Sequence, residues 1–428
     1  MADLYDTGSR KIKISSFFNL LFLAYVIIWP AVSRLIIKID EAGRIGFFLL
    51  ALVIFFNFNK LSFWRILKIK PVMIRLLWCV YAAVAWLMIG IPNEKIGGFL
   101  FLHGALVMPM VSMWVATYEM KRDAKFTVLA LCAFYAVYVF LGIFLQQGAK
   151  LYNGRVSGGL WNNLPLTSLA FISVMCIANV MGWIKKKWVV LAIVMAVIST
   201  LMVATRKAFV GIGIVTVFWY VSINDIKKAS SLIMAVLTTV FAVVAITYVM
   251  DNTVIGERFS IVEDQGRVYN DTGVALFNIL GDRLTYYING WALFLKHPII
   301  GIGLNNYMKV LPSDMPIHSE YMVQLAETGI IGTSLFLAFT VMLLRRIGRL
   351  KHIEKYCKLR LALYGALFFI LFIDLSAWTY SSRSYAIIMA VIIGMTEMAM
   401  GDTDNDSDDK PSTKGNPVGE DSPDDKDS

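Results

Sequence analysis

Arg206 and Lys207 are adjacent cations between two long apolar runs, in LMVATRKAFVGI. The connection is so short that both must lie close to the plane where those runs end. A charge at that depth costs several kcal/mol unless it finds a partner or an aqueous cavity. Two readings stay open: the pair snorkels its charges to the interface, or it binds a lipid phosphate. In the second case arginine supplies planar bidentate hydrogen bonds and lysine a point charge. Arg283, at the start of an amphipathic stretch, and Arg383, in DLSAWTYSSRSYAI, fall on the same side by the topology derived below. Four such cations can converge on one anion, although each alone is also compatible with a structural role. Asp374 is the acid deepest in an apolar span, and it is expected to pair with one of these arginines. His318 is one of four histidines and is followed by Ser319 and Glu320. An imidazole titrates near neutrality and can accept or orient the proton of an attacking hydroxyl. A lone histidine can equally be structural or solvated, and Glu320 is close enough to compete for the same role.

Composition sets the elements that must position these residues. Of the 428 residues, 58% are hydrophobic and 16% charged, with mean hydropathy +0.65; a soluble domain carries roughly one quarter charged residues. Apolar runs of about 17 to 25 residues recur, the length a helix needs to cross a hydrocarbon core of about 30 Å. Helices also satisfy their own backbone there. The expectation is an all-α integral membrane protein of about 12 transmembrane helices, near 15–37, 43–59, 72–92, 97–118, 124–146, 160–184, 188–205, 208–223, 229–250, 329–344, 359–378 and 384–400. The run from Ser15 to Ile37 is too long for a signal core and lacks a small-residue cleavage site, so it reads as the first span. Cys79, Cys132 and Cys176 fall inside apolar spans and Cys357 in a basic connection, a pattern with neither a disulfide framework nor metal-ligand spacing.

Charge sets the orientation. With the N-terminus inside, 23 of the 40 lysines and arginines fall in short cytoplasmic segments, among them Lys60 to Arg75, Lys121 to Lys125, Lys185 to Lys187 and Arg345 to Arg360. Four units follow: membrane helices 1–9 in 1–250, a large periplasmic or extracellular loop in 251–328, helices 10–12 in 329–400, and an acidic, disordered cytoplasmic tail in 401–428. The tail carries ten acids against three lysines and cannot bury a core. Within the loop, DRLTYYINGWALFLK sets Leu284, Ile288, Trp291 and Leu295 on one helical stripe, as an interfacial amphipathic helix would. His297-Pro298 ends it, and glycines at 301 and 303 mark a tight turn.

From His318 to Thr333 the chain reads HSEYMVQLAETGIIGT: His, Ser, nine further residues, then Gly-Ile-Ile-Gly-Thr. This resembles the signature of the bacterial O-antigen ligase family, which also includes O-antigen and capsule repeat-unit polymerases. ATRKA resembles that family's Thr-Arg element. GDRLTYYINGWALFLKHPIIGIGLNNY resembles its Gly-x-Arg helix and the following His-Pro-Ile-x-Gly-x-Gly turn. Asp374-x-x-x-Trp378 with Arg383 is similar to a third basic motif, with looser spacing to the arginine.

The resemblance implies a GT-C-like glycosyltransferase whose donor is a glycan on undecaprenyl diphosphate at the outer leaflet of a bacterial inner membrane. His318, Arg206 and Arg283 would be catalytic, the arginines stabilising charge on the leaving diphosphate and His318 activating the acceptor hydroxyl. Attack from the opposite face inverts the anomeric centre. Lys207, Arg383, Glu320 and Asp374 would bind substrate. No metal and no other cofactor is expected, because fixed cations replace a metal clamp. In a ligase the acceptor is a lipid A-core sugar, and in a polymerase another lipid-linked glycan. Membrane lipids surround the site, and no nucleic-acid partner is expected. A lipid-linked oligosaccharide transporter is the non-enzymatic alternative; the absence of visible related halves and the clustering of polar residues at one face favour interfacial chemistry.

Overall fold

A computed structural model describes residues 13–32, 42–89, 102–144, 150–152, 155–157, 163–203, 206–224, 287–310, 317, 319–377 and 379–408. Their architecture is helical apart from one short antiparallel hairpin, Lys150–Tyr152 with Arg155–Ser157. The helices are α1 (Ile14–Val32), α2 (Ala42–Asn57), α3 (Leu61–Arg65), α4 (Lys70–Ile89), α5 (Met108–Arg122, entered through a π turn at His103–Val107), α6 (Ala124–Phe144), α7 (Leu164–Val180), α8 (Lys186–Val203) and α9 (Arg206–Ile223). After them come α10 (287–296), α11 (Glu320–Val323, continued by a π turn Gln324–Thr328), α12 (Gly329–Arg349), α13 (Cys357–Asp374) and α14 (Arg383–Asp408).

Among the described residues, 7 helical segments are long and apolar enough to cross a membrane, or 8 if the sharply bent pair Ile45–Asn57 and Leu61–Lys68 is one span. This is a multi-pass membrane protein. Helices α7 and α9 are apolar but shorter, and the expected span at 229–250 lies outside the described residues. Helix α14 continues to Asp408, beyond the boundary expected at Met400, because extending a formed helix costs far less than starting one.

Helices α13 and α14 form the centre, with more than half of each span buried, whereas α4 and α8 keep broad exposed faces. Helix α14 packs on α5, α9 on α13, and α12 on α4. Small residues permit the close approach, as membrane packing favours: Gly394 lies against Met120, Gly365 against Phe218 and Gly211 against Leu169. At one end of the bundle Arg346 pairs with Glu397, and Lys121 lies 3.5 Å from the same carboxylate. Buried Glu119 accepts from Ser16 Oγ at 2.8 Å and Asn19 Nδ2 at 2.7 Å. Fourteen residues of helix separate Glu397 from Arg383, roughly 21 Å, so Arg383 stands far from the Arg346–Glu397 pair.

Candidate active site

The segment Glu320–His352 is a continuous apolar stretch of 33 residues, yet it is not one straight rod. The Tyr321 and Phe336 rings meet at 6.1 Å, whereas fifteen residues of straight helix would set them about 22 Å apart. The break is Gly329, at φ 63 and ψ −166, a region essentially restricted to glycine. It bends α11 and its π turn off the axis of α12, forming an arm whose far end is Ser319–Glu320.

A second glycine turn clamps the hinge. Gly301 and Gly303 also have positive φ. Around them Ile302 N donates to Ala326 O (3.0 Å), Gly303 N to Glu327 O (2.9 Å) and Ile330 N to Pro298 O (2.8 Å). A β-carbon at Gly301 would lie 2.6 Å from Thr328 N. The two glycine motifs are therefore one interlocked backbone unit. Glu327, buried in the π turn, closes it by accepting from Asn305 N (2.8 Å) and Tyr307 N (3.2 Å). From α4, Tyr81 Oη donates to Thr328 O at 2.8 Å. Helix α10 enters this unit with Leu293 buried and with Ile288, Trp291 and Leu295 exposed, the apolar outer stripe expected of an interfacial helix.

Four expected site residues converge in sequence or space on the connection 375–382. Glu320, fully buried, accepts from Thr379 N and Tyr380 N through Oε2 and from Gln324 Nε2 through Oε1. Asp374 accepts from the Thr379 hydroxyl. Lys207 Nζ donates to Ser376 O at 2.9 Å, and Tyr287 Oη donates to Leu375 O at 2.9 Å. Arg383 begins α14 at the far end, within electrostatic range of Tyr25 and His103. Burial, with the Glu327 and Glu320 carboxylates adding, holds the Tyr380 hydroxyl well above the usual phenol range, so it stays neutral.

Among the described side chains Asp374 takes its hydrogen bond from a hydroxyl; of its expected arginine partners, the side chains of Arg206 and Arg283 lie outside them. Glu320 has both oxygens engaged by the main chain and Gln324, which makes it a staple for the connection. Arg75, counted with the basic segment Lys60 to Arg75, is instead a half-buried residue of α4 whose Nη2 donates to Tyr380 O at 2.9 Å. His318 and Arg283 lie outside the described residues; of Arg206 the backbone is described, as the first residue of α9, and not the side chain. Arg75, Trp78, Gln324 and Glu327 escaped sequence reasoning. The last two sit among the nine unspecified residues of the motif, and their signal was polarity inside an apolar stretch. Among the described residues, no group of three His, Cys, Asp or Glu side chains converges.

Residues 191–337 match a family model described as O-antigen ligase. The match begins in α8, contains Arg206, Lys207, Arg283, His318 and Glu320, and ends early in α12, short of Asp374 and Arg383. No curated protein matches the chain.

Proposed function

Taking residues 191–337 as a segment of the O-antigen ligase family, we propose that the protein is an O-antigen ligase. It transfers a polysaccharide from undecaprenyl diphosphate to a lipid A-core sugar at the outer face of the inner membrane. The family supports a role in O-antigen assembly by a glycosyltransferase-like enzyme acting on lipid-linked glycans. The observation that carries the finer reading is the HSEYMVQLAETGIIGT segment: it lies inside the family match, and its Gly329 hinge brings Ser319 and Glu320 to the buried connection that ends at Arg383.

In this reading the acceptor oxygen bonds to the anomeric carbon as the carbon–oxygen bond to the diphosphate breaks, inverting that centre without a metal. His318 takes or orients the hydroxyl proton. Arg206 and Arg283 stabilise charge on the departing diphosphate. Glu320, Asp374 and Lys207 fix the 375–382 connection, and with it the start of α14 where Arg383 meets substrate. A donor and an acceptor held in such a frame react with far less orientational loss than in solution.

The test is transfer by the purified full chain in proteoliposomes. The donor is undecaprenyl-diphosphate-linked glycan extracted from a host strain lacking the protein, and the acceptor is lipid A-core. Glycan on lipid A-core supports the ligase. A ladder of longer chains on the carrier replaces it with a polymerase, and movement of donor across the bilayer without a new glycosidic bond overturns the enzyme reading.

The proposed orientation keeps both termini in the cytoplasm. Cys357 is the exposed one of four free cysteines and follows the basic segment after α12. A membrane-impermeant maleimide is expected to label it in inside-out vesicles and not in intact cells, and labelling in intact cells would reverse the topology.

A further inference from the structure

Arg75 belongs to a closed ring of contacts that joins α4, the bent arm and the 375–382 connection. Its guanidinium lies over the Trp78 ring at 4.3 Å, and Nη2 donates to Tyr380 O at 2.9 Å. Trp78 Nε1 donates to Gln324 Oε1 at 2.9 Å, Gln324 Nε2 donates to Glu320 Oε1 at 2.7 Å, and Tyr380 N donates to Glu320 Oε2 at 3.1 Å. Residue 380 is thus held from both sides, its N–H by a carboxylate of the arm and its carbonyl by a cation of α4. Trp78 and Gln324 are fully buried. A guanidinium in such a setting is expensive unless it is paired and stacked. Lysine matches neither the planar stacking nor the fork geometry.

Nothing in the family match explains this residue, because α4 and the connection both lie outside 191–337. The sequence spacing explains it no better, since Arg75 reads as one more charge of a basic segment. The ring spans the sequence distance from Arg75 to Tyr380, and its arm begins at the residues immediately after His318. We infer that Arg75 is a positioning residue of the transfer reaction: it holds the 375–382 connection against the arm that follows His318, so that the two halves of the site keep a fixed distance. The inference rests on the glycosyl-transfer reading for its kinetic consequence, and on the ring alone for its structural one. Loss of the clamp is expected to lower turnover more than donor affinity, because misplacement of reacting groups by about 1 Å costs on the order of 10²-fold.

The experiment compares purified full-length wild type, Arg75→Ala, Arg75→Lys and Trp78→Phe. Each is assayed for transfer with the extracted lipid-linked donor and for amide exchange by mass spectrometry. Arg75→Ala is expected to lower kcat on the order of 10²-fold with donor KM within about threefold, and to speed exchange in 375–382 while α13 stays protected. Arg75→Lys keeps the charge and a donor for the Tyr380 carbonyl but not the stacking on Trp78, and should recover only part of kcat. Trp78→Phe removes the hydrogen bond to Gln324 and keeps a smaller ring under Arg75 and beside Tyr380, and should move both readouts the same way by less; it carries the test if Arg75→Ala does not accumulate. Unchanged exchange in 375–382, or an unchanged kcat beside an active wild type, overturns the assignment. A kcat loss in Arg75→Ala that lysine does not relieve, with exchange raised throughout the bundle, also overturns it, since that is general destabilisation. A wild type that makes no glycosidic bond overturns the functional reading itself, while the exchange data still decide whether Arg75 holds the connection.

Discussion

His318→Ala is expected to abolish glycan transfer to lipid A-core while the protein accumulates normally in the membrane. General base catalysis contributes typically 10² to 10⁴-fold, so the residual rate should fall below what an electrophoretic glycan pattern reveals. The expectation rests on position. Ile317 and Ser319 on either side are buried, and Ser319 and Glu320 form the far end of the bent arm. Because a histidine base works only when neutral, activity of the wild type should also decline in acid, and the trace left in the variant should not follow that decline. Ser319→Ala is the internal control: it removes a long contact from Ser319 Oγ to Asp374 O at 3.5 Å and should cost little. Wild-type surface glycan in the His318→Ala strain would remove His318 from the mechanism.

Gly329→Ala is expected to prevent accumulation of the folded protein altogether. The position combines a positive φ with the closest backbone contacts of the hinge: a β-carbon would lie 2.6 Å from Ile299 C and 2.7 Å from Gly301 N. The conformation alone costs a side chain about 1 to 3 kcal/mol, and the clash is with main chain that Pro298, Ile299 and the second glycine turn hold in place. Together these approach a large share of the roughly 5 to 15 kcal/mol that separates most folded domains from unfolding. Gly182→Ala is the comparison for a positive φ without a clash, because Gly182 has φ +71 but open space around it. That variant should accumulate with stability lowered by only about 1 to 2 kcal/mol. Size-exclusion profiles of detergent-solubilised membranes compare the two, and a normal Gly329→Ala peak would mean that the hinge is not what sets the arm.

Hydropathy makes the helices legible because a span must be long and apolar whatever it touches, and charge counting reads their ends because basic connections stay on one side. Neither signal carries direction within a span. The stretch Glu320–His352 has the composition of a single helix; the expected span starts at Gly329, where the helix bends, but the helical turns before it fall in the expected loop. Arg75 is misread for the same reason: six residues into α4 it is still adjacent to Lys68 and Lys70 in sequence, while in space it faces Tyr380. The motif from His318 to Thr333 points to this neighbourhood through its spacing, but its unspecified positions hold Glu320, Gln324 and Glu327, the residues that do the holding. Asp374 is recognisable as a buried acid, whereas its partner Thr379 is an ordinary hydroxyl residue until the connection is seen to bend back.

Glu320 and Glu327 stand seven residues apart, two α-helical turns, and in an uninterrupted α-helix they would point the same way. They do not serve the same neighbour: Glu327 closes on Asn305 and Tyr307, and Glu320 on Thr379 and Tyr380. Glu327 lies inside the π turn Gln324–Thr328 and Glu320 before it, and the wider winding of that turn shifts the phase of the two carboxylates relative to a regular helix. The widened turn thus acts as a phase shifter, letting a single short arm present one carboxylate to each of two loops that approach it from different directions.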